Sequence, residues 1–268
     1  MKEEKVNELI ADIEELRIIE RRIEANKRFQ EPEVFSILVN KFGGGILRLL
    51  NEQTPELCKI ALNRSGIALK FVENKTPELC KIAVRQNAHA LKYVEEQTYD
   101  ICLEAIRQNG AALRYVKEQT IGLCEIAIKS DGMLLEYVKN QTNYICELAV
   151  EQQPYALIFV REQTPKICEI AVKNNGLVLE YIENQTNYIC ELAVRQNGNA
   201  LGYIKEQTNY ICELAVKQNG EALRYVKEQT EEICLEAIKK SPMLAMFIKE
   251  KTNRICFELF KMENNIKR

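Results

Sequence analysis

The sequence holds a single histidine, His89, and no Cys-x-x-Cys pair. A catalytic triad would have to use that one imidazole, and a zinc site of ordinary ligand spacing has no support. Charge of one sign is missing too: 37 Lys and Arg stand against 39 Asp and Glu, a net charge of −2. No overall field therefore draws the chain towards nucleic acid or anionic lipid. No apolar run approaches the roughly 18 residues that span a bilayer. The first ten residues, MKEEKVNELI, carry acids where a secretory signal has a basic segment and an apolar run. Gly43, Gly44 and Gly45 are not a phosphate loop, because no strand pattern precedes them and no Lys-Ser/Thr follows. These absences predict a soluble, cytoplasmic, non-enzymatic protein with no cofactor, metal or membrane partner.

What is present is a period. The ten cysteines fall at 58, 80, 102, 124, 146, 168, 190, 212, 234 and 256, each 22 residues after the last. One short unit copied end to end gives a quasi-one-dimensional array in which each copy touches mainly its neighbours. The even count invites a disulfide framework. However, equivalent residues on stacked helices lie about 8–10 Å apart, whereas bridged Cα atoms lie at roughly 4.4–6.8 Å. The thiols are therefore read as small core residues.

One clear copy is Thr208 to Gln229, TNYICELAVKQNGEALRYVKEQ. Thr208 is a good N-cap, and Ile211, Cys212, Leu214, Ala215 and Val216 follow at helical spacing. Pro55, Pro77 and Pro165 occupy the first helical position of other copies, where a missing N–H costs nothing. After the turn signal Asn219-Gly220, the residues Ala222, Leu223, Tyr225 and Val226 predict a second, shorter helix. The fold class is thus all-α, an α-solenoid of 22-residue helix-turn-helix repeats. Helices of about ten and eight residues are marginal alone, so each must lean on the next hairpin. Pro154 and Pro242 replace the turn glycine in two copies. Because proline cannot take a positive φ, those copies are expected to turn differently and to start their second helix at the proline.

The ends depart from the middle. Residues 1–30 predict a charged amphipathic capping helix striped by Val6, Leu9, Ile13, Leu16, Ile19 and Ile23. Residues 31–53 form a degenerate first repeat, 54–251 hold nine full repeats, and 252–268 a half repeat and tail. That half repeat leaves Phe257 and Phe260 with no second helix, and Met243 and Met246 are expected to cover this end or to make a dimer contact. Stacking at about 9 Å per hairpin predicts a rod on the order of 90 Å long.

Chemistry is sparse. His89 stands where sister copies have Ala111, Met133 or Asn199, so it reads as a surface residue. The glutamates Glu125, Glu147, Glu169, Glu191 and Glu213 read as the solvated face of the first helices. An aromatic column (Phe71, Tyr93, Tyr115, Tyr137, Phe159, Tyr181, Tyr203, Tyr225, Phe247) reads as core packing with hydroxyls reaching water. Pairs such as Gln196-Asn197 and Gln218-Asn219 predict a ladder of side-chain bonds along the turns.

Positions that vary between copies are better candidates for recognition. In the middle of the array Met133, Tyr155, Ile158 and Leu177 replace polar counterparts, and Tyr144 belongs to the variable pair after the N-cap Thr. A contiguous exposed apolar patch marks a protein partner's site. The alternative is single-stranded nucleic acid on a basic column, Arg85, Arg107, Lys129, Lys173, Arg195, Lys217 and Lys239. Against it, Glu151 interrupts the column, and cations at helix C-termini are expected anyway. A third alternative is self-assembly, with a homodimer through the C-terminal end.

The copies QNGAALRYVKEQT, QNGNALGYIKEQT and QNGEALRYVKEQT resemble an uncharacterised tandem-repeat family of giant DNA viruses and some bacteria. The similarity covers roughly residues 32–260 and rests on the K-Q-N-G-x-A-L-x-Y-V core. It implies an all-helical repeat protein, and no activity or site residue comes with it. In a viral setting the protein would be a scaffold, inhibitor or decoy in the host cytoplasm.

Overall fold

The computed structural model describes residues 17, 18, 31–50 and 52–266. The expected capping helix lies outside the described residues, apart from Arg17 and Ile18, which are helical. Among the described residues the chain forms ten pairs of an α-helix and a 3₁₀ helix, from Pro32–Phe42 with Gly44–Leu49 to Glu231–Lys240 with Pro242–Phe247. A last α-helix, Asn253–Ile266, follows. The chain divides into two compact units, Met1–Ala127 and Ile128–Arg268.

Local chemistry sets each pair. In Pro77–Gln86 the Thr76 hydroxyl accepts from the Leu79 N–H at 3.4 Å, and proline opens the helix. The helix stops at Asn87, which is extended (φ −152°, ψ 112°) while its N–H still bonds the Ala83 carbonyl. The Asn87 side chain then accepts from the His89 N–H at 2.9 Å and so opens the 3₁₀ helix Ala88–Tyr93. The same asparagine cap recurs at Asn109, Asn175, Asn197 and Asn219.

The second helix differs from expectation. It is a 3₁₀ helix of six residues, not an α-helix of about eight. Its buried positions explain the choice. Ala88, Leu91 and Val94 are buried at intervals of three, which stacks them on one ridge of a three-residue turn. Each 3₁₀ helix ends at an extended residue such as Val94 (φ −82°, ψ 121°).

The turn also corrects an expectation. Gly43 alone has a positive φ among the described residues. Gln153, before Pro154, has φ −144° and ψ 108°, close to the −151° and 107° of Asn175 before Gly176. The proline copies therefore turn like the others, and both prolines do open their second helix. Extended backbone is what a residue preceding proline prefers. The turn does not need an unusual dihedral, and in the glycine copies the next α-helix comes close: a Cβ on Gly176 would sit 2.3 Å from the Ala193 carbonyl oxygen.

Within each unit, α-helices pack on the α-helices of neighbouring copies and 3₁₀ helices on 3₁₀ helices, giving two layers. Ile or Leu, Cys, Ala and Val of the α-layer meet Ala, Leu and Val of the 3₁₀ layer in a core that buries no polar side chain among the described residues. The sulfurs are free thiols, buried from Cys58 to Cys234 and exposed at Cys256.

A glutamine ladder ties copy to copy. Gln207 Nε2 donates to the Leu201 carbonyl at 3.2 Å and to the Tyr225 carbonyl of the next copy at 2.9 Å. Its Oε1 accepts from the Lys227 N–H at 3.0 Å and from the Cys212 Sγ–H at 3.6 Å. Gln53, Gln97 and Gln229 repeat all four bonds. In these copies the leucine carbonyl near the end of the 3₁₀ helix accepts from the glutamine as well as from a backbone N–H, as Leu201 does from Gln207 and Ile204.

Candidate functional site

Met133, Tyr155 and Leu177 are each the second residue of a 3₁₀ helix: Gly132–Tyr137, Pro154–Phe159 and Gly176–Tyr181. These three helices pack in succession, so the three side chains share one face of the second unit. Ile158 joins them from the middle helix. Tyr155 is 43% exposed and Ile158 46%, while Met133 and Leu177 are half-buried. Tyr155 meets the Tyr181 ring edge-on, with centroids 6.1 Å apart and planes at 71°, an arrangement that aromatic quadrupoles favour. Phe159 is half-buried on the same face and Tyr181 is exposed. The patch is therefore larger than the variable positions alone indicate. The ring column reads as packing in sequence because its spacing matches a core stripe, yet these rings stand at the edge of the 3₁₀ layer.

Tyr144 lies elsewhere. It is the second residue of the α-helix Asn143–Gln152 and belongs to the α-layer, so it does not join the other four.

The basic residues near the helix C-termini also lie on the α-helices of each unit, where carboxylates engage several of them. Arg85 makes two bonds of 3.0 Å to Glu104. Lys173 pairs with Glu169 at 2.5 Å and Arg195 with Glu191 at 2.7 Å, both one turn apart. Lys217 reaches Glu213 at 3.9 Å, and Lys239 reaches Glu236 at 3.6 Å. Tyr188 and Tyr210 donate their hydroxyls to Glu169 and Glu191. Arg107 lies near enough to Glu104 to favour its ionised form. Lys129 occupies the same position near the end of Ile121–Ser130. Bonding to Arg85, Lys173 and Arg195 holds Glu104, Glu169 and Glu191 below the usual carboxylate range. The α-layer is a surface of matched opposite charges.

Burial pushes the thiols of Cys58, Cys80, Cys102, Cys124, Cys146, Cys168, Cys190, Cys212 and Cys234 up, which disfavours the nucleophilic thiolate. His89 is exposed, and its ring lies 5.6 Å from that of Tyr115. Among the described residues no cluster of three or more His, Cys, Asp or Glu is placed to hold a metal ion. No described helix is long and apolar enough to cross a membrane.

At the C-terminal end Phe257 and Phe260 are exposed. Met243 and Met246 do not cover them. They stand 79% and 73% exposed on the 3₁₀ helix Pro242–Phe247, in the other layer. With Arg224, Leu244 and Phe247 they line an open groove of about 610 Å³.

A family described as a domain of unknown function (DUF4116) matches residues 77–121, about two consecutive copies of the unit. No curated protein and no solved structure matches the chain. The chain is thus similar, over those two copies, to an uncharacterised family, and an all-helical repeat array is what its structure shows.

Proposed function

We propose that this chain is a non-enzymatic scaffold that holds another protein against the 3₁₀ layer of its second unit. It would act as an adaptor, inhibitor or decoy, in a host cytoplasm if the source is viral. The observation that carries this reading is the run of Met133, Tyr155, Ile158 and Leu177 on successive helices, with Tyr155 and Ile158 both more than 40% exposed. Exposed apolar groups at equivalent positions of neighbouring copies form one patch, and such patches mark partner sites. Tyr and Met suit the centre of an interface. The buried, protonated thiols and the ion-paired carboxylates of the α-layer favour a binding role over catalysis. Replacing Tyr155 and Ile158 with Asp should abolish capture of the partner in pull-downs from the native source and leave the helical circular dichroism unchanged. Retained capture would exclude this patch.

A second reading is favoured by Phe257 and Phe260, both more than half exposed on the α-helix Asn253–Ile266. Self-association through this end predicts a dimer in sedimentation equilibrium that Phe257→Asp and Phe260→Asp convert to monomer. A wild-type monomer at high concentration would dismiss it.

A further inference from the structure

The cations of the first unit's 3₁₀ layer are arranged unlike those of the α-layer. Arg48, Lys70, Lys92 and Arg114 occupy one equivalent position on four successive 3₁₀ helices, Gly44–Leu49, Gly66–Phe71, Ala88–Tyr93 and Gly110–Tyr115. These helices pack in sequence, and all four cations are exposed. None of the four helices contains a carboxylate. In three of them the next residue is a ring, Phe71, Tyr93 or Tyr115, each half-buried and so presenting part of a face or edge. Lys70 Nζ lies 4.6 Å from the Phe71 centroid, and the Arg114 guanidinium lies 5.7 Å from that of Tyr115. His89 adds a second ring against Tyr115 at 5.6 Å. The second unit keeps the rings and changes the neighbour to Glu136, Ile158, Glu180 and Gly202 before a cation returns at Arg224.

We propose that the 3₁₀ layer of the first unit binds single-stranded nucleic acid. A nucleotide offers one phosphate and one base, and each of three copies here offers one cation and one ring. Cationic tracks interleaved with aromatic platforms are how such strands are held without sequence preference. An acidic polypeptide would use the cations and leave the rings idle. The carboxylates nearest this layer are on the loops that follow the helices: Glu52, Glu73, Glu95, Glu96 and Glu118. Of these, Glu95 is already bonded by Lys75 at 2.7 Å. This surface is distinct from the basic column of the α-layer, whose cations face glutamates on their own or adjoining helices.

The test is fluorescence anisotropy of a labelled oligouridylate and the matching oligodeoxythymidylate with the full chain, titrated between about 50 and 200 mM salt. Binding is expected for both strands. Four contacts at about 0.7 counterions each give a slope of log K on log salt near −3. Lys70→Glu with Lys92→Glu should weaken binding by about tenfold or more, and the gentler Lys70→Gln with Lys92→Gln by less. Tyr93→Leu, which keeps the packing and removes the ring, should weaken it by about fivefold or more. Lys59→Glu with Lys251→Glu, the same charge change elsewhere, should leave it nearly unmoved. No binding at low salt would overturn the proposal. So would loss on Arg195→Glu with Lys217→Glu while the Lys70 and Lys92 variants still bind. Equal binding of polyglutamate with indifference to Tyr93→Leu would overturn it in favour of an acidic polypeptide.

Discussion

At the scale of single residues, the glutamine five positions before the cysteine ties one copy to the next, except where Lys75 and Lys251 replace it. Gln207 satisfies two carbonyls, an N–H and a thiol across two copies. Gln207→Ala removes four bonds at once, two of them part-buried, and is expected to cost about 2 kcal/mol although the Leu201 carbonyl keeps the Ile204 N–H. Thr208→Ala removes one cap bond and should cost about 1 kcal/mol. Urea denaturation of the two variants tests the order, and equal losses would contradict the role given to Gln207. The thiols give a pH prediction with a definite sign. Burial raises nine of them above their ordinary range, so the folded state holds its protons more tightly than the unfolded chain does. Their contribution is complete below the unfolded thiol range of about 8.5 and is lost as pH rises through it. The urea midpoint should therefore fall between neutral pH and about pH 9.5. In the folded protein Cys256 alone should react rapidly with a thiol reagent, and all ten cysteines should react in urea.

At the scale of elements, the first helix was fully legible in the sequence. Thr76 and Thr208 as caps, Pro77 and Pro165 at the first position, and buried Ile, Cys, Ala and Val stand where the pattern puts them. The second helix was legible as a helix but not as a 3₁₀ helix. Ala222, Leu223 and Val226 at i, i+1 and i+4 fit an α-turn and a period of three equally well. The ridge of three emerges once the turn residue is included, as Ala88, Leu91 and Val94 show. The Gln207 ladder was illegible because a glutamine in a polar connection looks solvated until the neighbouring copy is in place. Substitutions at the turn follow from the close approach of the next α-helix. Gly198→Val forces a Cβ to within about 2.5 Å of the Ala215 carbonyl and should destabilise by about 1–3 kcal/mol. Pro154→Gly restores the commoner turn residue and should change the melting temperature little, since both turns share one geometry. A large drop for Pro154→Gly would mean that proline holds that copy in a conformation of its own.

At the scale of the whole molecule, the two layers divide the work. The α-layer pairs its charges, as Arg85 with Glu104 and Arg195 with Glu191 show. It also exposes apolar side chains at its helix starts, Tyr99, Ile121, Tyr144, Tyr188 and Tyr210. The 3₁₀ layer differs between the units: cations beside rings in the first, and in the second an apolar run from Met133 to Leu177. Met133, Tyr155, Ile158 and Leu177 stand out when copies within the chain are compared, because they depart from the unit's own consensus. Tyr144 also varies between copies, but a linear comparison does not show that it lies in the α-layer. Tyr144 and Tyr155 consequently make a matched pair, 52% and 43% exposed on different layers. Placing a photo-reactive phenylalanine analogue at either position, with irradiation in the native cell, compares the layers directly. The 3₁₀ layer as the working surface predicts a cross-linked partner from position 155 and none from 144. Adducts from 144 alone, or from neither position, would contradict it.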